Sequence, residues 1–330
     1  MSPTYEVTQS PHPDFPELTA YTLSSPSDVT VTFVPGAGMV GSSLTHEGEE
    51  LLGMRAGLGA YRESGKTFGI PLLAPWANRL DVKEFNGIEL VTDGTPGAHP
   101  DANGLPIHGL LAGCPDWHIT RAEVGGEGDD EGAWLVANLD FHAARPEFPA
   151  FPFPHLLTVA VHLIGSKVEI WTSVTATGDR EVPIAFGWHP YFAPPGGMRA
   201  DWTVSTPFTH KVKLDSRCVP TGDIKRGPVE VKTLGDPADG GVVLDDLFSD
   251  VVAGTTAWIE GGNRRITLSY DFGYDYAVLF APADQPLVAI EPMTAPTDPL
   301  AGHFPIKTAL PGETYTARYG ITVTPEGVSA

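Results

Sequence analysis

Cations are scarce in this 330-residue chain. Twenty Lys and Arg stand against 41 Asp and Glu, a formal charge of −21 at pH 7. That balance argues against nucleic acid and anionic membrane surfaces as partners. It also opposes a phosphorylated substrate unless Arg and Lys converge locally, and no basic cluster stands in the sequence. Cysteine is scarcer still. Cys114 and Cys218 are the only two, without a CxxC spacing, which leaves no disulfide framework for a chain this long. No apolar run approaches membrane-spanning length. The opening residues Met1-Ser2-Pro3-Thr4-Tyr5-Glu6 carry neither the basic n-region nor the apolar h-region of a signal peptide. A soluble, cytoplasmic protein is expected.

Several chemical signatures are missing too. The histidines show no HxH or HExxH spacing, which argues against zinc. Neither a GxSxG elbow nor a P-loop is present. Gly36-Ala37-Gly38-Met39-Val40-Gly41 fits GxGxxG after a predicted strand, but a dinucleotide site needs a helix next. The following Ser42–Gly48 is short, polar and ended by glycine, and reads as a turn and a second strand. Hydride and phosphoryl transfer lose their usual supports.

Helical periodicity of useful length is also nearly absent, because Gly or Pro interrupts each amphipathic window. The 37 Gly and 32 Pro follow no period, so they read as many turns between short strands. Alternation predicts strands at Asp28–Val34, Leu156–Leu163, Lys167–Thr175, Ala257–Glu260, Arg265–Tyr270, Tyr276–Phe280 and Tyr315–Val323. In Lys167–Thr175, Val168, Ile170 and Thr172 face opposite to Glu169, Trp171 and Ser173. The expected architecture is all-β and mainly antiparallel. No repeat of solenoid or propeller type and no dividing linker stands out, so residues 1–330 are expected to form one domain. The loop Thr92–Leu105, with three glycines and two prolines, is long enough to be functional or merely mobile.

Five segments attract chemical attention. In Ala185-Phe186-Gly187-Trp188-His189-Pro190-Tyr191-Phe192, Pro190 biases His189 towards extended backbone and Gly187 permits an approach that a Cβ would block. An imidazole fixed among aromatic rings suits a sugar, whose apolar faces stack on rings, though a satisfied strand-end histidine is the plainer reading. Gly69–Leu80 delivers Asn78 and Arg79 at the end of an apolar run, and Arg79 offers a five-donor fork for hydroxyls or a carboxylate. Pro106–Leu111 holds His108 before a glycine. Gly241–Phe248 sets Asp245 and Asp246 side by side, so that one can point inward and the other into solvent. Finally, Pro286–Thr294 runs as an apolar strand into Glu291, held extended by Pro292. Burial there would raise the carboxyl's pKa and suit it as a general base.

In this order, Pro75-Trp76-Ala77-Asn78-Arg79, Ile107-His108-Gly109-Leu110, Gly187-Trp188-His189-Pro190-Tyr191-Phe192, Leu244-Asp245-Asp246-Leu247-Phe248 and Ile290-Glu291-Pro292-Met293-Thr294 resemble the aldose 1-epimerase (galactose mutarotase-like) family. Pro220-Thr221-Gly222 is similar to a further turn of that family, and the resemblance covers about residues 30–323. It implies a β-supersandwich with an open cleft across one sheet. It also implies interconversion of the α and β anomers of a free monosaccharide without metal or organic cofactor, by a monomer or homodimer. Carried over by residue, Glu291 would be the general base at O1 and His189 the general acid at the ring oxygen. Arg79 and His108 would hold and polarise the sugar, with Asn78 beside them, and Asp245 would bind hydroxyls. Asp245 is preferred to Asp246 because the family's aspartate lies three residues before an aromatic, here Phe248. Which of His108 and His189 carries the proton stays open, and Trp76 or Trp188 could wall the sugar or lie in the core. The proline-dense Arg145–Pro154 could rim the cleft or lead into the strand at Leu156. The arginine-bearing glycine motif common upstream of the Asn-Arg pair is not clear in this chain. Two other classes compete: a carbohydrate-binding protein without turnover, and an epimerase of a modified or phosphorylated hexose, which would need basic residues at the cleft.

Overall fold

In the computed structural model, which describes residues 4–327, the alternating segments form strands. Val29–Val34 buries Val29, Val31 and Phe33 completely. The hairpin of His155–Ile164 and Lys167–Ala176 turns at Gly165-Ser166 and pairs antiparallel throughout. Its second strand buries Val168, Ile170 and Thr172 and leaves Glu169, Trp171 and Ser173 half-buried on the other face. After the glycine-rich Pro35–Ala37 turn comes the strand Val40–His46, not a helix. The one α-helix among the described residues is the short Gly57–Ser64, and no helix there is long and apolar enough to cross a membrane.

Two large sheets result. One has nine strands, from Glu230–Thr233 at one edge to His118–Gly125 at the other; the second has eight, with Pro220–Arg226 at one edge and Leu72–Leu73 at the other. The ladders are antiparallel. A five-stranded meander spans Glu6–Pro11 to Glu49–Glu50. The large sheets share one apolar cluster, to which the first contributes Val159, Ile170, Ile266 and Tyr319 and the second Trp188, Leu279 and Ile290. Polar contacts also join them: Trp188 Nε1 donates to Thr172 Oγ1 (2.9 Å), and the Tyr270 hydroxyl donates to the Glu291 carbonyl (3.3 Å).

Alternation leaves the second sheet with two different faces. Leu279 and Ile290 enter the core between the sheets, while Leu247, Val278 and Met293 form a separate cluster on the opposite face. The site lies on that opposite face. Of the two readings of the proline-dense segment, the core lead-in holds. Phe151 and Phe153 are buried against each other (ring centroids 4.9 Å apart), and Phe151 supports Trp76 from 6.4 Å.

Candidate active site

The register of three strands brings the two central residues together. Gly187 pairs with Met293, and Tyr191 and Phe192 pair with Ala289 and Val288. Both pairings keep one register, so His189 stands directly opposite Glu291, where Pro190 interrupts the ladder by lacking an N–H. Facing residues in such a ladder lie within side-chain reach. Accordingly His189 Nε2 is 3.1 Å from Glu291 Oε1. The approach needs glycine at 187, since a Cβ there would meet Met293 Sδ and crowd the Pro292 carbonyl. The strand end is further tied down by Thr294, whose N–H (3.0 Å) and hydroxyl (2.8 Å) both donate to the Phe186 carbonyl.

The same ladder places the aspartate. Val278 pairs with Glu291 and Phe280 with Ala289, while Leu247 and Asp245 pair with Val278 and Phe280. Asp245, Phe280, Glu291, His189 and Tyr191 therefore share one face. Asp246 belongs to the alternate set and pairs with Lys211. Asp245 also borders a cavity of about 610 Å³ between Lys211, Lys213 and Lys225.

A loop crossing supplies the remaining residues. Asn78 (φ +54°) and His108 (φ +66°) both hold left-handed backbone, and the His108 N–H donates to the Asn78 carbonyl at 2.8 Å. Asn78 thus enters the site through its backbone. The His108 ring meets the His189 ring edge-on at 5.6 Å. Arg79 Nε donates to Asp101 at 2.6 Å, and Asp101 also accepts from the Asn103 and Leu105 N–H groups, so the long loop is folded round the Arg79 partner. All six residues singled out by sequence therefore gather at one place. Glu291 and His189 are buried, whereas Asn78, Arg79 and His108 are half-buried and Asp245 is exposed: a dry floor with an open rim.

Burial governs the charge of the floor. It raises Glu291 well above the ordinary carboxylate range, helped by Asp245 and opposed by Arg55 and Arg79. It pushes His189 well below the usual histidine value, helped by His108 and Arg55. Both shifts favour neutral forms, so near neutrality the pair holds one proton between two side chains. His108 is likewise driven down to about 3 by burial, with Arg79 and Arg55 adding to the effect, and is neutral. Glu291 Oε2, His189 Nδ1 and His108 Nδ1 have no hydrogen-bond partner among the described residues. Buried polar atoms rarely stay unsatisfied, so these three mark the place as a candidate site. No three His, Cys, Asp or Glu side chains among the described residues are grouped so as to hold a metal ion.

Three residues were missed by sequence reasoning. Arg55 (φ +42°) donates from Nη1 to the Tyr191 hydroxyl at 2.7 Å, and its guanidinium lies 5.0 Å from the Tyr191 ring. Thr67 shares a 2.6 Å hydrogen bond with the same hydroxyl, which in turn lies 3.1 Å from His189 Nε2. Phe280 is the half-buried aromatic 6.0 Å from His189. No local signal marked Arg55, whose contact with Tyr191 spans 136 residues. The aromatic wall is corrected: Trp76 and Trp188 are fully buried core residues, unable to touch a sugar, and Phe192 is buried as well. Tyr191 is equally buried and stacks on His189 at 4.1 Å.

Comparison with known proteins bears on the fold and the family. A galactose mutarotase-like protein from Clostridium acetobutylicum superposes with a TM-score of 0.79 at 19% identity, over 98% of this chain and 99% of that one. Galactose 1-epimerase from Lactobacillus acidophilus gives 0.71 at 14% identity, again over 98% and 99%. The aldose epimerase homologue of C. elegans gives 0.69 at 16% identity with the same coverage. At these identities the likeness establishes the galactose mutarotase-like fold alone. No curated protein matches the sequence. The family model described as aldose 1-epimerase matches residues 19–322, nearly the whole chain. By fold and by sequence, this chain belongs to the aldose 1-epimerase family.

Proposed function

We propose that this protein interconverts the α and β anomers of a free aldose by acid–base ring opening and reclosure. The carrying observation is the buried His189–Glu291 contact at 3.1 Å, a pair holding one proton beneath a polar rim. Opening a hemiacetal removes the proton from O1, forms the C1=O1 bond and breaks the bond from C1 to the ring oxygen, which takes a proton. Glu291 accepts the first proton and His189 donates the second. The open chain turns about C1–C2, and the ring oxygen re-adds to the other face of C1. His189 then recovers its proton and Glu291 returns one to O1. The pair carries one proton at every stage, and only its location changes. The neutral pair favoured by burial is the form that accompanies the open chain, while Arg55 and Arg79 stabilise the ionised Glu291 that cyclic sugar requires. Each of the two proton transfers is worth roughly 10²–10⁴ in rate. Neutral His108 and Arg79 serve as donors to the sugar oxygens, and Asp245 accepts from its hydroxyls.

The test is polarimetry of freshly dissolved α-D-glucose and α-D-galactose with and without the protein. Faster approach to anomeric equilibrium is expected with at least one of them. No acceleration across a panel of free aldoses would overturn the free-sugar assignment. A second reading, an epimerase of a hexose bearing an anionic group, is favoured by one observation. Arg55 joins Arg79 in acting on Glu291 and His108, so two cations converge where the sequence placed one.

A further inference from the structure

A cavity of about 600 Å³ lies beside the acid–base pair, linked to it through Tyr191. Arg55, Lys66, Thr67 and Gln285 line it with the apolar Leu52 and Leu287, and no Asp or Glu among the described residues does. In a chain with twice as many acidic as basic residues, two cations facing one cavity without a carboxylate is a marked local reversal. The similar cavity beside Asp245 is balanced, since Asp223, Asp245 and Asp246 accompany its lysines.

The partners of Arg55 are all neutral. Nε donates to Gln285 Oε1 (3.2 Å), and Nη1 donates to the Thr67 hydroxyl (3.3 Å) and the Tyr191 hydroxyl (2.7 Å). Its Nη2, with two N–H donors, makes no hydrogen bond among the described residues, and Lys66 forms no ion pair there either. Arg55 also keeps a left-handed φ of +42°, a backbone state that non-glycine residues hold chiefly where the surroundings impose it. Free guanidinium N–H groups and an unpaired ammonium suit the oxygens of a tetrahedral or planar oxyanion.

We propose that this cavity is an oxyanion subsite, in which Arg55 and Lys66 bind a phosphate, sulfate or carboxylate group carried by the aldose or present as a free anion. An occupant sits one hydroxyl away from His189, because the guanidinium that holds it also donates to the Tyr191 hydroxyl. Binding stands on the cavity alone; the sugar-borne source rests on the epimerase reading above.

The experiment titrates inorganic phosphate, at constant ionic strength in chloride, into wild type, Lys66→Gln, Arg55→Gln and Arg180→Gln. Arg180 is also without an ion pair among the described residues but lies outside the cavity. Saturable binding is expected for wild type and Arg180→Gln, with affinity lower by roughly tenfold or more in Lys66→Gln and Arg55→Gln. Retained affinity in both cavity variants, or binding to none of the proteins, would overturn the proposal. Mutarotation of glucose 6-phosphate then separates the sources. Phosphate that competes with the sugar phosphate supports the sugar-borne group, whereas phosphate that binds alongside it and changes the rate with glucose supports the free anion. Should no sugar be turned over while the phosphate pattern holds, the epimerase reading fails and the subsite stands.

Discussion

Replacing Glu291 by Gln separates chemistry from structure at this site. The side chain is 1% exposed, its Oε1 lies 3.1 Å from His189 Nε2, and its Oε2 has no partner among the described residues. Glutamine has the same shape and can keep the contact with His189, so the floor has no cavity to close. What it lacks is a site for the proton of O1. Losing a general base costs roughly 10²–10⁴ in rate, about 3–5 kcal/mol of barrier. Arg79, His108 and Asp245 still hold the sugar, so the loss belongs in kcat with KM little changed. Stability moves the other way. The folded-state pKa of Glu291 is raised by burial, so its contribution is fully present at acid pH and is lost as pH rises through that value. An amide carries no such penalty at neutral pH, and the variant should melt at or above the wild-type temperature. His189→Asn should cost a comparable factor, and the double variant little more than either alone, because the pair acts as a unit. Polarimetry under initial-rate conditions and thermal melts on the same samples make the test. A rate within tenfold of wild type would remove Glu291 from the chemistry. A rate loss accompanied by a lower melting temperature would make its role structural.

Three further outcomes follow from the geometry. The pH profile of kcat/KM should hold level through neutrality, with its acid limb below the ordinary histidine pKa of about 6.5. Falling pH adds a second proton to the pair and disables the base, and burial places that step low; an acid limb at or above pH 6.5 would show His189 to be solvated. Tyr191→Phe keeps the ring stacked on His189 but leaves buried Thr67 without its hydroxyl partner. It should cost about 1–3 kcal/mol in urea unfolding and weaken mutarotation, whereas an unchanged midpoint would show the hydroxyl to be idle. Gly109→Ala puts a Cβ onto the Ala74 carbonyl at a φ of +76°. Strain at such a position costs of order 1–3 kcal/mol before the clash is counted, so the variant should lose both stability and sugar affinity; wild-type values of both would refute the account of the His108 turn.

The meeting of His189 and Glu291 was legible because its signals are local. His189 and Glu291 each precede a proline, each ends a short apolar run, and each therefore stays extended at a point where a ladder breaks. Alternation alone left Asp245 and Asp246 open; the family resemblance preferred Asp245, and the strand pairing puts it and not Asp246 on the face of Phe280 and Glu291. Glu6–Pro11, Thr19–Ser24, His118–Gly125 and Gly132–Phe141 were not predicted, whereas the strands predicted from alternation were equally readable. Arg55 was not, since its contact with Tyr191 spans 136 residues and depends on how an exposed turn lies over the sheet. Composition could not place Trp76 or Trp188 either. An aromatic beside a polar motif looks the same whether it faces ligand or core, and only the pairing of the two sheets settles it. The proline-dense segment posed the same difficulty, and the burial of Phe151 and Phe153 resolved it.

Floor and rim of the site are built on different principles. The floor is ordinary antiparallel ladder: His189 and Glu291 meet because two flanking pairings share a register, and no unusual backbone is needed beyond glycine at 187. Changes there can alter chemistry while leaving the fold intact. The rim is irregular chain, with Arg55, Asn78 and His108 all at positive φ and held by contacts outside any ladder, such as His108 N–H to the Asn78 carbonyl and Arg55 to Gln285, Thr67 and Tyr191. Such conformations cost roughly 1–3 kcal/mol each and persist only when surrounding structure imposes them. A regular floor fixes the distance between His189 and Glu291, which the proposed proton transfers require to be constant. An irregular rim can be rebuilt residue by residue, and that is where one member of a family can come to differ from another in the sugar it accepts. Rim variants of this protein should therefore lose stability as they shift substrate preference, whereas Glu291→Gln in the floor should lose rate without losing stability.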